Sequence, residues 1–291
     1  MSARLLLAAL WLFHWLPLGV QAACGNGFGR IAWYLVASRR RVALRNLELC
    51  FPELGLTERE QLARAHFRWL GRSLLERGLL WYASPARLRR LIRVEGDVHL
   101  AERSERAVMW LAPHFIGLDV AGASVLLFQN RKGISIYQRQ SDPVLDRALR
   151  RGRLRLGNAE IFERDDAGKA LLRAIRRGDG FFNLPDMDFG TRDAAFVPFF
   201  GVTAVTLLAP SRLAKALDMV VQPVIAEMLP GGRGYRVRYE PPWPNFPSDD
   251  PVADAARMNR WIEAEIRANP AQYLWVHRRF KTRPPGEPSL Y

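Results

Sequence analysis

The segment Val108-Met109-Trp110-Leu111-Ala112-Pro113-His114-Phe115-Ile116-Gly117-Leu118-Asp119 runs from a wholly apolar stretch straight into a histidine, with an acid five residues on. Were both in one helix, that spacing would set them roughly 140° apart, on different faces. The pair makes chemical sense only if His114 lies in a loop at the carboxyl end of a buried strand and Asp119 in the first turn of the following helix. Pro113 and Gly117 permit that bend. The carboxylate then holds one imidazole nitrogen and fixes the tautomer, leaving the other to take a proton from a hydroxyl. No serine or cysteine of the nucleophile-elbow type adjoins, and no second histidine stands at metal-ligand spacing. The expected chemistry is therefore general-base catalysis with direct attack by the acceptor and no metal. His14, His66 and His99 lack such a context and read as structural.

Such a loop needs an alternating chain to hold it, and the sequence supplies one. Strand-length apolar runs occur at Ile92 to Glu95, Ala107 to Leu111, Gly133 to Tyr137, Gly180 to Leu184, Met219 to Ala226 and Tyr235 to Glu240. Helical stretches lie between them at Gly117 to Phe128, Pro143 to Arg151, Asp166 to Arg177 and Thr203 to Leu217, with another at Val252 to Ala268. A long amphipathic helix from Thr57 precedes them, opened by a capping box at Thr57 and Glu60, and Ser84-Pro85 caps a short basic helix. The alternation predicts one α/β domain, a central sheet flanked by helices, with its site at the carboxyl ends of the strands.

Leu5 to Val20 is apolar apart from His14, and the 43 Lys and Arg outnumber the 29 Asp and Glu for a net charge of +14. A cleaved signal, a lipoprotein signal at Cys24 and a retained anchor all compete for that segment, but Gln21 is wrong for the lipoprotein. Arg4 alone precedes the segment, whereas Arg30, Arg39, Arg40, Arg41 and Arg45 follow it. By the positive-inside rule this predicts a retained transmembrane helix over residues 1–23, with a catalytic domain over 24–291 on the cytoplasmic side. The stretch Phe28 to Ala37 extends the anchor or lies in the interface. The two cysteines make neither a disulfide framework nor a metal pattern and fit a reducing compartment. The charge calls for an anionic partner: a lipid surface, an acidic protein or nucleic acid.

Beyond the His114/Asp119 motif, ordered stretches of the chain resemble the late acyltransferases of lipid A biosynthesis, a branch of the lysophospholipid (glycerolipid) acyltransferase superfamily. The matching stretches are Arg41 to Pro52, Tyr137-Gln138-Arg139, Arg150 to Arg155, Leu184 to Gly190, Phe196 to Gly201 and Gln272 to Pro284. The resemblance implies a glycerolipid-acyltransferase-like domain at the inner membrane and a role in lipopolysaccharide synthesis. It implies transfer of a fatty acyl chain from an acyl thioester, acyl carrier protein above all, to a hydroxyl of the acylated, phosphorylated lipid A precursor, without a cofactor. It makes His114 and Asp119 catalytic and places Arg153, Asp186 and Arg139 in substrate binding. Two departures stand out: Asp119 occupies a position that is often Glu, and Gln138-Arg139 replaces the family's Arg-Pro.

Read from residue type alone, Arg153 binds acceptor phosphate or makes a surface ion pair, and Asp186 fixes an arginine of the site or caps a loop. His277 contacts the carrier or membrane, or belongs to a solvated basic patch packed on Trp275 and Phe280. Acylation of another membrane lipid, a lysophospholipid or an amino-acid lipid, is the alternative activity. A membrane-tethered nucleic-acid-binding protein would explain the charge but leaves the His114 loop without a purpose, so nucleic acid is not the expected partner.

Overall fold

The computed structural model describes residues 2–291. In chain order the elements are α1 (Ala3–Phe13), α2 (Leu18–Leu35), α3 (Ala37–Cys50), α4 (Leu56–Tyr82), α5 (Pro85–Leu91), β1 (Ile92–Gly96), α6 (Leu100–Arg103), β2 (Val108–Leu111), α7 (Leu118–Phe128), β3 (Gly133–Tyr137), α8 (Pro143–Leu154), β4 (Ala159–Glu163), α9 (Ala167–Arg176), β5 (Gly180–Asn183), β6 (Ala194–Phe199), β7 (Val202–Leu207), α10 (Ala209–Ala216), β8 (Val220–Met228), β9 (Tyr235–Tyr239) and α11 (Pro251–Ala268). A seven-stranded sheet has the order β1-β9-β8-β2-β5-β3-β4, parallel throughout except at the β8–β9 hairpin. This is the expected α/β domain, with a mixed sheet flanked by helices.

Strand β2 is buried along its whole length, and its alternating side chains divide the core. Val108 and Trp110 pack with residues of α4, α5 and α7, whereas Met109 and Leu111 pack with α9, α10 and α11 on the other face. A third cluster joins α2, α3 and α4 to the chain's end through Trp33, Leu47, Phe67, Phe115, Trp275 and Phe280. Ser84 accepts from the Arg87 N–H and Pro85 opens α5, as the sequence predicts. Glu58, not Glu60, accepts the N-terminal amide of α4, from Gly55 at 2.7 Å, so that helix starts two residues early.

The expected helix over Thr203 to Leu217 is instead strand β7 followed by α10. Thr203, Val205 and Thr206 are β-branched residues that favour the pleated surface, and Pro210 marks the first turn of the real helix. Its partner β6 was missed, as was β4. β6 and β7 form a separate antiparallel hairpin through Phe200 and Gly201, both at positive φ, the turn whose twist matches that of paired strands.

The transmembrane helix expected over residues 1–23 is not found: among the described residues no helix is long and apolar enough to cross a membrane. The apolar run breaks at His14 to Pro17, and residue 23 falls inside α2. Proline lacks an N–H and cannot continue a helix, so the carbonyls ending α1 need other donors. Gln21 Nε2 supplies them to His14 (3.2 Å) and Leu16 (2.8 Å), and Arg87 donates to the same two carbonyls at 2.5 and 2.7 Å. Helix α2 lies hard against α4: a Cβ on Gly29 would stand 2.1 Å from the Phe67 carbonyl oxygen, and one on Gly71 2.4 Å from that of Gly25. Only glycine allows so close a backbone approach. Leu18, Gln21 and Ala22 on the same helix are buried.

His66 of α4 is fully buried, with its Nδ1 3.2 Å from the Ala271 carbonyl. Burial depresses its pKa from 6.5 to about 4. Because the folded value lies below the unfolded one, protonation of His66 costs the fold stability progressively as pH falls from 6.5 toward 4, and above pH 6.5 there is no such cost. The full cost amounts to about 3 kcal/mol. Denaturant melts between pH 7 and pH 4.5 are expected to show a steeper loss of stability for the native chain than for His66→Gln; parallel curves would refute this.

Candidate active site

His114 lies where the spacing placed it, in the loop leaving β2, and Asp119 lies in the first turn of α7. The carboxylate on the imidazole is not Asp119, however. His114 Nδ1 is 2.6 Å from Asp186 Oδ1, and the His114 backbone N–H donates to Asp186 Oδ2 at 2.9 Å. The topology explains the meeting. β2 and β5 are parallel neighbours, Ala112 N–H donates to the Asn183 carbonyl at 2.9 Å, and the two loops leave the same edge of the sheet. Residues 72 apart in sequence thereby share two hydrogen bonds.

Asp186 is buried. Burial alone would raise its carboxyl, but the His114 ring and N–H outweigh that and hold it below its ordinary value, so it is ionised. Burial, with the Asp186 charge beside it, pushes the Tyr273 hydroxyl well above its usual range, which keeps it a donor toward the carboxylate. With Nδ1 committed, the ring's other nitrogen, Nε2, makes no hydrogen bond among the described residues.

Asp119 serves a different cluster. Its Oδ2 accepts from Arg77 at 2.9 Å and its Oδ1 from Arg153 at 3.1 Å. Burial opposes ionisation, but the two guanidinium groups prevail and draw the pKa down to about 2. One carboxylate against two arginines leaves a net positive charge, and with side chains 30% and 36% exposed those arginines remain open to an anion. Arg153 thus makes an ion pair and keeps the means to bind phosphate. Arg139 joins neither group: it is mostly exposed, with Glu163 3.8 Å away.

The chain's end fastens the His114 loop. Ile116 N–H donates to the Gln272 carbonyl at 2.7 Å and Leu274 N–H to that of His114 at 2.9 Å, while Phe115 and Tyr273 form a bridge. Asn46 of α3 holds this run in turn, donating to the carbonyls of Trp275 and His277 at 2.7 Å each. Asp188 anchors the second loop by accepting from the N–H and hydroxyl of Thr282, both at 2.7 Å. His277 faces inward, its Nε2 accepting from Asp188 N–H at 3.2 Å, and burial lowers its pKa to about 4. It orders the Asp186 loop rather than presenting a charged contact. Sequence reasoning missed Arg77, Tyr273 and Asn46. Arg77 sits 42 residues before its partner and looks like any other arginine on a basic helix.

Next to these groups an apolar pocket of about 90 Å³ runs between α7, α8 and strands β3, β4 and β5. Leu118, Asp119, Arg153 and Leu184 line one end, and Gly133, Ala159 and Glu160 the other. The first end adjoins both loops: Asp119 is five residues from His114, and Leu184 two from Asp186.

Residues 2–282 match the family model for bacterial lipid A biosynthesis acyltransferases. The chain is 35% identical to the lipid A biosynthesis lauroyltransferase of Escherichia coli K12, covering 98% of this chain and 93% of that one. It is 36% identical to the lipid A biosynthesis palmitoleoyltransferase of the same organism, over 98% and 92%. The identity to its lipid A biosynthesis myristoyltransferase is 31%, over 90% and 81%.

Proposed function

Because the chain belongs to the bacterial lipid A biosynthesis acyltransferases, we propose that it transfers a fatty acyl chain from an acyl carrier protein thioester to a hydroxyl on the acyl part of the phosphorylated lipid A precursor, with His114 as general base. The observation that carries this reading is the His114 ring seated on a buried, ionised Asp186 beside an apolar pocket. His114 Nε2 takes the hydroxyl proton as the oxygen attacks the thioester carbonyl. The C–S bond breaks, the new ester forms, and the imidazolium returns the proton to the departing thiolate. Asp186 balances the charge on the ring between these steps and keeps Nδ1 protonated. The Arg77 and Arg153 guanidinium groups, only partly offset by Asp119, hold a phosphate of the acceptor, and the net charge of +14 favours the acidic carrier.

The acceptor is a membrane lipid, and α1 and α2 give the protein a way onto its bilayer. Trp11, Leu12 and Trp15 stand exposed on and just after α1; Val20, Phe28, Ile31 and Leu35 form an outward stripe on α2 at helical spacing. Arg30, Arg39 and Arg41 are exposed beside that stripe. The helices lie in the interface of the cytoplasmic leaflet of the inner membrane with the apolar faces down, each nearby arginine adding about 1 kcal/mol on anionic lipid. Leu12→Glu with Ile31→Glu should abolish co-flotation with anionic vesicles while circular dichroism is unchanged. Undiminished flotation would place the docking surface elsewhere.

The activity is tested by offering the purified protein one acyl carrier protein donor with the lipid A precursor and, separately, with a lysophospholipid. Acylation of the precursor alone supports the reading, and acylation of the lysophospholipid alone overturns it. The relatives named for lauroyl, myristoyl and palmitoleoyl transfer lie within a narrow band of identity, so the chain transferred depends on local features and not on overall similarity.

A further inference from the structure

Several glycines sit inside helices, and most have a packing reason. A Cβ on Gly25, Gly29, Gly71, Gly78 or Gly152 would fall within 3.0 Å of a neighbouring element. Gly122, in the middle of α7, has no such reason: an added Cβ would meet nothing within 4 Å. Glycine costs a helix interior stability relative to alanine, so an unpacked one there leaves a space without a structural return. Gly27 and Gly168 are equally open, but only Gly122 among these three lines the apolar pocket.

Its depth is fixed by α7, which runs from the site end of the sheet back toward the amino ends of β3 and β4. Asp119 marks the mouth, Gly122 lies close to one turn below it, and Leu126 a turn further, near Gly133. The ring of Trp81 packs on Gly152 in the same wall, where a Cβ would be only 2.2 Å from it, so that wall is already filled. We infer that the pocket holds the hydrocarbon tail of the acyl donor and that Gly122 sets the length it accepts, by leaving open the passage to its lower half. The inference rests on the acyl-transfer reading above. One helical turn, about 5.4 Å, takes up roughly four methylene groups of an extended chain, so a side chain at Gly122 shortens the preferred donor by about that much.

The test is a competition of acyl carrier protein donors from eight to sixteen carbons, each product read by mass, for the wild type, Gly122→Ala, Gly122→Leu and the surface control Gly168→Leu. Gly122→Leu is expected to raise the ratio of short- to long-chain transfer at least tenfold, and Gly122→Ala to raise it less with a melting temperature equal to or above wild type. Gly168→Leu leaves the ratio as it was. An unchanged ratio in folded Gly122→Leu overturns the inference, as does an equal loss at every length. A changed preference for the acceptor's chain, with the donor profile intact, overturns it by assigning the pocket to the other substrate. A wild type that acylates no lipid with any donor would instead sink the underlying acyl-transfer reading itself.

Discussion

Replacing His114 with alanine should lower kcat by ~10² to 10⁴-fold, the range that a positioned general base supplies. No other side chain within hydrogen-bond reach of the loop is a substitute: His277 is turned onto the Asp188 amide and Tyr273 is held protonated. The ring is mostly buried but its backbone contacts remain in the variant, since Ile116 and Leu274 bind the loop through main-chain groups. The protein should therefore fold and bind its acceptor nearly as before, and the loss should lie in kcat with KM little changed. Single-turnover acylation together with acceptor binding separates the two parameters. Near-normal turnover in a folded His114→Ala protein would remove this residue from the mechanism.

Asp186→Asn should be about as severe. A neutral amide neither stabilises the imidazolium nor enforces the tautomer with Nδ1 protonated, and in histidine–carboxylate systems that change costs on the order of 10⁴-fold. Asp186 also accepts from the His114 N–H at 2.9 Å, so the amide must satisfy two donors with one oxygen. Asp119→Asn serves as the comparison. It leaves the His114 ring's partner in place and frees Arg77 and Arg153, so its effect should fall mainly on acceptor KM and on the dependence on acceptor phosphate. If Asp119→Asn altered kcat as Asp186→Asn does, and Asp186→Asn were mild, the ring would be served by Asp119 during the reaction despite the resting geometry.

That comparison also shows where sequence reasoning reaches its limit. The loop position of His114 and the helical position of Asp119 were legible because Pro113, Gly117 and the apolar run before them are local signals. The partner of His114 was not legible. β5 neighbours β2 only because the chain passes through α7, β3, α8, β4 and α9 before returning, and no spacing encodes that order. The family resemblance marks Asp186 as a site residue, yet residue type alone offers only an arginine or a loop cap as its role. The amino-terminal run misled for a related reason. Hydropathy registers Leu5 to Val20 as continuous, while the break depends on Pro17 together with Gln21 and Arg87, whose capping bonds reach carbonyls at His14 and Leu16. A buried face on α4 and an exposed face outward look alike to a hydropathy average.

The central claim is that this protein acylates lipid A precursor through His114. Its most direct test is mass spectrometry of lipid A from cells lacking the gene, complemented with the wild type or with His114→Ala at equal abundance. Wild type should restore the mass of one ester-linked acyl chain and His114→Ala should not. Lipid A of identical mass with and without the gene, or full restoration by His114→Ala, would contradict the account.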